Sequence, residues 1–347
     1  MSLYARVARL PVAVESVALE RLSVDFASGF TRATTVVRLA GAGEEGVGED
    51  VVYDSAQHDA PPVAPVVGEW ASFDELSQTL DRAPLFAEAP SQAAYSDYRR
   101  WAWESAALDL ALRQAGLSLG DALGREQRPL RFVVSLRLPD PPSADPVRSW
   151  LAVDPGLRFK LDPTPDWTSE LTAELAALGV VDVVDLKGAY RGTVVDNPAD
   201  ATLYRRVAET FPHALIEDPD LDDPGAAAVL DPHRERITWD APIHGVEDIE
   251  RLPFAPRVLN IKPSRFGAVR RLLDTLDFCA ERGIGTYGGG QFELGPGRGQ
   301  IQHLASLFSP DASNDVAPGG YNRGGARPGL PGSPLPPPAP SPGFGWG

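Results

Sequence analysis

The chain has 347 residues, too many for one small core and enough for a barrel of about 250 residues with a smaller domain beside it. Apolar residues make up 43% and charged residues 23%, the balance of a chain that buries a core along most of its length. The formal net charge of −16 argues against a nucleic-acid partner, which Lys and Arg would hold through phosphates, and leaves a small molecule as the expected ligand.

A single cysteine, Cys279, excludes an internal disulfide and fits a reducing compartment. It lies on the apolar stripe Val269, Leu272, Leu273 and Leu276, which predicts a buried, inert thiol. The first residues lack the basic start and apolar run of a signal peptide, and no stretch approaches the roughly 20 apolar residues of a membrane span. The expectation is a soluble cytoplasmic protein without membrane association.

In chain order, the alternating segments Val17 to Phe26 and Thr31 to Leu39 predict an antiparallel meander, and the acidic stretch Gly41 to Asp50 reads as a loop. Tyr98 to Gln114 predicts a helix, with Gly116 placed to stop it. From about Leu130, short apolar runs alternate with helical stretches every 20 to 35 residues or so, the pattern of βα units around a parallel sheet. The candidate strands are Arg131 to Leu138, Leu157 to Leu161, Val180 to Leu186, Ala214 to Glu217, Ile237 to Asp240, Val258 to Lys262, Ile284 to Tyr287 and a weak one near Asp315 to Ala317. Asn197-Pro198 and Asp223-Pro224 each read as a cap followed by a proline in the first helical turn. The expected division is an α+β domain over 1–125, a (β/α) barrel of TIM type with seven to eight strands over 126–322, and a Pro/Gly-rich tail over 323–347, extended and able to dock through Phe344 and Trp346 or to meet a partner.

Barrels carry their chemistry where strands end. There the sequence places Lys160 and Asp162, Asp185 and Lys187, Glu217 and Asp218, Asp240, and Lys262. Charges closing otherwise apolar strands are costly to desolvate singly, so their recurrence predicts convergence on one site. Three carboxylates from consecutive strands, Asp185, Glu217 and Asp240, suit a hard cation; oxygen ligands favour Mg²⁺ over zinc, for which no His/Cys spacing exists. The five histidines are scattered and read as surface or packing residues.

The segments Val183-Val184-Asp185-Leu186-Lys187-Gly188, Leu215-Ile216-Glu217-Asp218-Pro219, Trp239-Asp240-Ala241-Pro242 and Asn260-Ile261-Lys262-Pro263-Ser264-Arg265, in this order on successive strands, resemble the enolase superfamily, in its muconate-lactonising and o-succinylbenzoate-synthase-like branch. The helix containing Trp103, Glu104 and Asp109 is similar to the one joining that family's capping domain to its barrel. The resemblance covers the chain up to Asn322. It implies that Asp185, Glu217 and Asp240 bind Mg²⁺, that Lys262 is the base or an electrostatic stabiliser, and that a proton α to a substrate carboxylate is removed to give a metal-stabilised enediolate. It also implies a homo-oligomer, often a dimer or octamer.

Two positions depart from the branch. Where it carries Lys-x-Lys on the second strand, this chain has Lys160-Leu161-Asp162, and where it commonly carries Asn two residues after the first ligand, this chain has Lys187. Residues two apart on a strand face one way, so Asp162 and Lys187 are expected to meet at the barrel mouth, either as a transposed catalytic charge or as a structural ion pair. In the glycine-rich run from Tyr287 to Gln300, the candidates for substrate contact are Gln291, Glu293 and Arg298, with ordering of the loop as the other reading. The leading functional expectation is a lyase, by dehydration or o-succinylbenzoate-synthase-like elimination. The alternatives are an isomerase on the same enediolate (racemase, epimerase or cycloisomerase) and a non-catalytic barrel that binds metal or carboxylate.

Overall fold

The computed structural model describes residues 2–26, 29–190 and 195–346. In the N-terminal part, β2 (Ser16–Asp25), β3 (Thr31–Gly41) and β4 (Glu44–Asp50) form an antiparallel meander, and the short β1 (Val12–Val14) pairs with β5 (Gly68–Trp70). Two small helices, α1 (Leu3–Val7) and α2 (Phe73–Leu80), flank them, and the 21-residue α3 (Ala94–Gln114) packs against β4. The expected helix is therefore present and begins four residues earlier, and Gly116 ends it in the left-handed conformation with φ +68°.

The segment read as an acidic loop is a strand instead. Gly46 and Gly48 flank Val47 between two pairs of acids and conceal the pattern. They lie so close to α3 that a Cβ on either would collide with its backbone, at Leu110 and Ala102 respectively, so only glycine lets this strand approach the helix.

After α4 (Leu119–Leu123), the barrel strands follow as β6 (Val134–Leu136), β7 (Phe159–Leu161), β8 (Val181–Asp185), β9 (Leu215–Glu217), β10 (Ile237–Thr238), β11 (Val258–Ile261) and β12 (Gly285–Gly288). Between them run α5 (Asp145–Val153), α6 (Ser169–Ala177), α7 (Ala201–Thr210), α8 (Pro224–Leu230), α9 (Val246–Glu250), α10 (Pro263–Phe266) and α11 (Val269–Arg282), and α12 (Gly297–Phe308) follows β12. β6 to β10 pair in parallel in chain order, as do β11 and β12.

Single backbone hydrogen bonds carry the ring across the remaining gaps. Asn260 N–H donates to Trp239 O at 3.1 Å, Asp315 N–H to Gly288 O at 2.8 Å, and Val133 N–H to Asn314 O at 2.8 Å. The eighth position is thus filled by two residues, Asn314 and Asp315, through parallel bridges to Phe132 and Gly289. Asn314 is fully buried and stitches this seam: its Oδ1 accepts Gly288 N–H at 2.6 Å and its Nδ2 donates to Arg131 O at 2.9 Å.

Asp223 caps α8 as expected, accepting Ala226 N–H at 2.7 Å. The cap expected at Asn197-Pro198 does not form. Helix α7 starts three residues later, where Asp200 accepts two backbone N–H groups, and Asn197 is buried with its amide on Pro163 O and Leu186 O. Cys279 is buried on α11, and burial pushes its thiol up to about 11. Among the described residues no helix is long and apolar enough to cross a membrane.

Candidate active site

The parallel register sets the strand-end residues side by side. Asp185 stands opposite Glu217, and Lys160 opposite Val183, two residues before Asp185. Beyond the strand ends, Lys187 and Asp218 take left-handed backbone angles, φ +55° and +47°. Such turns are unusual for residues other than glycine, and they occur at functional sites when the surrounding contacts enforce them.

Lys160 is 1% exposed and enclosed by acids. Its Nζ lies 2.6 Å from Glu217, 3.0 Å from Asp185 and 3.3 Å from Asp315. Burial alone would lower its pKa, but these carboxylates raise it well above the ordinary lysine value, so it is a fixed ammonium. Lys187 is ion-paired with Asp185 and lies 3.8 Å from Asp162, so the expected meeting of Asp162 and Lys187 occurs, with Asp185 as a third member. Burial opposes ionisation of Asp185, yet the ammonium groups of Lys160 and Lys187 outweigh it and hold the carboxyl at about 2.

Asp240 is fully buried and held on both oxygens. Arg265 donates to Oδ1 at 2.9 Å and to Oδ2 at 3.2 Å, Lys262 Nζ is 2.8 Å away, and the Tyr190 hydroxyl donates at 2.7 Å. Arg265 also reaches the Tyr98 hydroxyl on α3 at 3.2 Å. Asp218 braces this corner by accepting Asp240 N–H at 2.8 Å and Ala241 N–H at 2.9 Å. Glu217 accepts hydrogen bonds from Asn260 at 3.1 Å and the Tyr287 hydroxyl at 2.7 Å. Burial pushes Glu217 up to about 8 against the pull of Lys160, and burial with the charges of Asp240 and Asp185 pushes Asp218 up to about 7.

Carboxylate oxygens of Asp185, Glu217 and Asp218 all lie within 4.8 Å of one another, an all-oxygen donor set that suits a hard divalent cation. The formal charges agree. Among the described residues, six carboxylates (Asp162, Asp185, Glu217, Asp218, Asp240, Asp315) meet four cations (Lys160, Lys187, Lys262, Arg265) in this cluster, a surplus of acids that pushes Glu217 and Asp218 toward their protonated forms and that a divalent cation would offset. Asp240, expected as the third ligand, is not in that oxygen group, whose third member is Asp218; Arg265 and Lys262 hold Asp240 instead.

The glycine-rich loop after β12 is ordered from the N-terminal domain. Arg32, on β3 and fully buried, donates to the carbonyls of Val51, Val52, Gln291 and Phe292. Glu49, on β4, accepts the N–H groups of Leu294 at 2.7 Å, Gly295 at 3.0 Å and Gly297 at 2.9 Å. Gln291 donates to the Tyr98 hydroxyl at 2.8 Å and accepts from Tyr53 at 3.3 Å, while Glu293 pairs with Arg298 at 2.9 Å. These three side chains hold the loop and the domain junction, and three backbone donors of the loop, at Leu294, Gly295 and Gly297, are taken up by Glu49.

Four residues of the site have roles that the sequence pattern does not show: Asp218, Tyr190, Arg265 and Asp315. Asp218 and Arg265 lie inside the strand-end motifs, one residue after Glu217 and three after Lys262, so their neighbourhood was a usable signal. Nothing local marks Tyr190 or Asp315 as a partner of Asp240 or Lys160.

A parallel β/α ring with an α+β domain on it, and acids and lysines at its strand ends, is the architecture of enolase-superfamily barrels, and solved members share it. An enolase-superfamily protein from Listeria innocua superimposes with a TM-score of 0.64 at 19% identity, covering 91% of this chain and 88% of that one. Muconate cycloisomerase from Pseudomonas fluorescens gives 0.61 at 23% identity, covering 88% and 87%. Among curated proteins, o-succinylbenzoate synthase of Geobacillus stearothermophilus is 26% identical over 289 residues (79% of this chain, 74% of the relative), and N-succinylamino acid racemase of an Amycolatopsis species is 32% identical over 231 residues (63% and 60%).

The chain belongs to the family described as domain of unknown function DUF8230, whose N-terminal domain matches residues 5–122 and whose C-terminal domain matches residues 126–323, and it is a divergent member of the muconate-lactonising and o-succinylbenzoate-synthase-like branch of the enolase superfamily. It is an enzyme of the lyase and isomerase group to which these relatives belong.

Proposed function

We propose that this enzyme removes the proton α to the carboxylate of a small-molecule substrate, with Mg²⁺ held by Asp185, Glu217 and Asp240, and that the resulting enediolate collapses by elimination, as in a dehydratase or an o-succinylbenzoate synthase. The observation that carries the reading is the surplus of acids: among the described residues, six carboxylates meet only four cations in one cluster. When bound, the cation would supply the positive charge that a substrate carboxylate and its developing enediolate require.

The chain's own residues divide the remaining work. Lys262 follows β11 with its ammonium 2.8 Å from Asp240, and this position beside a proposed metal ligand supports a role as the proton acceptor. Lys160 is enclosed by three acids and acts as a fixed counter-ion. Lys187, held by Asp185 and oriented by Asp162, supplies the positive charge that the branch carries on the second strand. Tyr98 and Gln291 close the mouth from the domain junction.

The similarity to N-succinylamino acid racemase favours a second reading, an isomerase on the same enediolate. Racemisation needs a proton donor on each face of the carbon. Asp162 stands where the second-strand lysine would act, which weighs toward elimination, because elimination can proceed with one base.

The test is exchange of α-protons with deuterated solvent, followed by NMR over pooled acid sugars, succinylbenzoate precursors and N-acyl amino acids with Mg²⁺. Loss of exchange by about a thousandfold or more in Lys262→Ala, with the wild type active, is expected. Lys187→Ala should lose both turnover and metal affinity. A wild type that binds Mn²⁺ and exchanges nothing in the library would instead support a non-catalytic barrel.

A further inference from the structure

The groove between α3 and α12 is filled by residues 343–346 of the chain itself, which lie beyond the stretch matched by the family. Four consecutive backbone N–H groups donate into it: Gly343 to Leu117 O at 2.9 Å, Phe344 to Asp109 Oδ1 at 2.6 Å, Gly345 to His303 Nδ1 at 3.1 Å and Trp346 to Gly299 O at 3.2 Å. Leu119 N–H donates back to Gly343 O at 3.0 Å. Phe344 is 1% exposed and meets Trp101 edge-on at 6.0 Å. Reading of successive backbone donors, with a pocket for one aromatic ring, is how peptide-binding grooves work.

The fit is cut on both sides. Gly343 has φ +114°, and a Cβ there would strike Asp109 and Arg113; a Cβ on Gly299, in the first turn of α12, would collide with the backbone of Trp346. The stretch before it is extended and proline-rich. Its Leu335 exchanges backbone hydrogen bonds with Leu130 at 2.7 and 2.8 Å, and Ser333 Oγ accepts Phe132 N–H at 3.0 Å, so the segment reaches its groove on a semi-rigid strap.

The groove has one wall from each domain. Trp101, Asp109 and Leu117 belong to the N-terminal side, Gly299 and His303 to the barrel. Asp109 also accepts Val47 N–H on β4 at 2.9 Å, Gln300 of α12 donates to Val47 O at 2.7 Å, and Glu49, two residues along the same strand, holds the loop 294–297 at the barrel mouth. We propose that this groove is a peptide-binding site for a Gly-Phe-Gly-Trp segment, that the chain supplies the ligand itself, and that occupancy fixes the N-terminal domain on the barrel. The proposal is independent of the metal chemistry.

Hydrogen exchange on the full-length protein tests it. Phe344→Ala should speed exchange at the Leu294, Gly295 and Gly297 amides by about tenfold or more and lower the melting temperature by about 5 °C. A synthetic peptide of residues 338–347 added to this variant should restore protection, and the same peptide carrying Phe344→Ala should not. A lower melting temperature with exchange at 294–297 unchanged, or a peptide that protects nothing, would overturn the proposal and leave Phe344 as ordinary core filling. Gly299→Ala gives a test by sign. Alanine ordinarily favours a helix over glycine, so it should lower the melting temperature of the docked chain and raise that of the Phe344→Ala chain by about 1–2 °C; lowering both equally would also overturn the proposal. Should Phe344→Ala fail to fold, Phe344→Leu carries the same comparisons.

Discussion

Replacing Lys160 by Met tests the charge arrangement directly, because Met keeps the unbranched stem and removes the ammonium. In the native site that ammonium lies 2.6, 3.0 and 3.3 Å from Glu217, Asp185 and Asp315 at 1% exposure. Removing one partner of a buried ion pair leaves uncompensated charge and costs about 3–5 kcal/mol, which for a chain of this length is a melting temperature lower by about 4–7 °C. Among the described residues the cluster then has three more acids than bases in place of two, so a divalent cation should bind at least as tightly and restore part of the loss: about 2.7 kcal/mol at a free concentration one hundred times its Kd. The assay is thermal unfolding of wild type and variant in EDTA and across a Mg²⁺ titration, with Mn²⁺ affinity measured in parallel. A variant melting within 2 °C or so of wild type in EDTA would refute the counter-ion role of Lys160, and a variant that Mg²⁺ leaves unrescued would refute the charge count.

Acid should loosen the groove between the domains through His303. Burial holds this ring at about 4, below the ordinary histidine value of 6.5, so the folded state favours the neutral form. Its contribution is complete above pH 6.5 or so and is lost as pH falls from there toward 4, with a total of about 3 kcal/mol; the accepting Nδ1 that binds Gly345 N–H disappears on protonation. Denaturant titrations from pH 7 to 4 should show that loss, reduced in His303→Gln; identical pH profiles for the two proteins would exclude this origin. Arg32→Met should lower stability by at least about 3 kcal/mol, because Arg32 serves four backbone carbonyls across the domain junction. Urea unfolding measures it, and a loss under about 1 kcal/mol would show that the junction does not depend on this residue.

What could be read from the sequence was whatever is local along the chain. Strand-end acids follow directly on short apolar runs, so the amino-acid order alone places Asp185, Glu217, Asp240 and Lys262, as it places α3, the cap at Asp223 and the buried Cys279. Those patterns depend on neighbours within a few residues, whose burial and capping a single strand or helix dictates. The strand β4 was missed because its glycines answer to the nearby helix α3, and the Asn197 cap failed because that amide found carbonyls at Pro163 and Leu186 instead.

Tertiary structure decided which charges meet. Lys160 finds Glu217 across 57 positions, Asp315 joins from the closing seam, and Arg265 ties Asp240 to Tyr98 on the linking helix. The left-handed turns at Lys187 and Asp218 aim their side chains, and no residue-level preference predicts such turns at a lysine. The sequence described residues 323–347 as an extended tail able to dock through Phe344 and Trp346 or to meet a partner, but it gave no docking site, since a stretch dominated by glycine and proline buries little by itself. Only the groove assembled from Trp101, Asp109, Gly299 and His303 offers Phe344 a pocket and its neighbours acceptors, and that groove exists only after helices α3 and α12, far apart in sequence, have packed together.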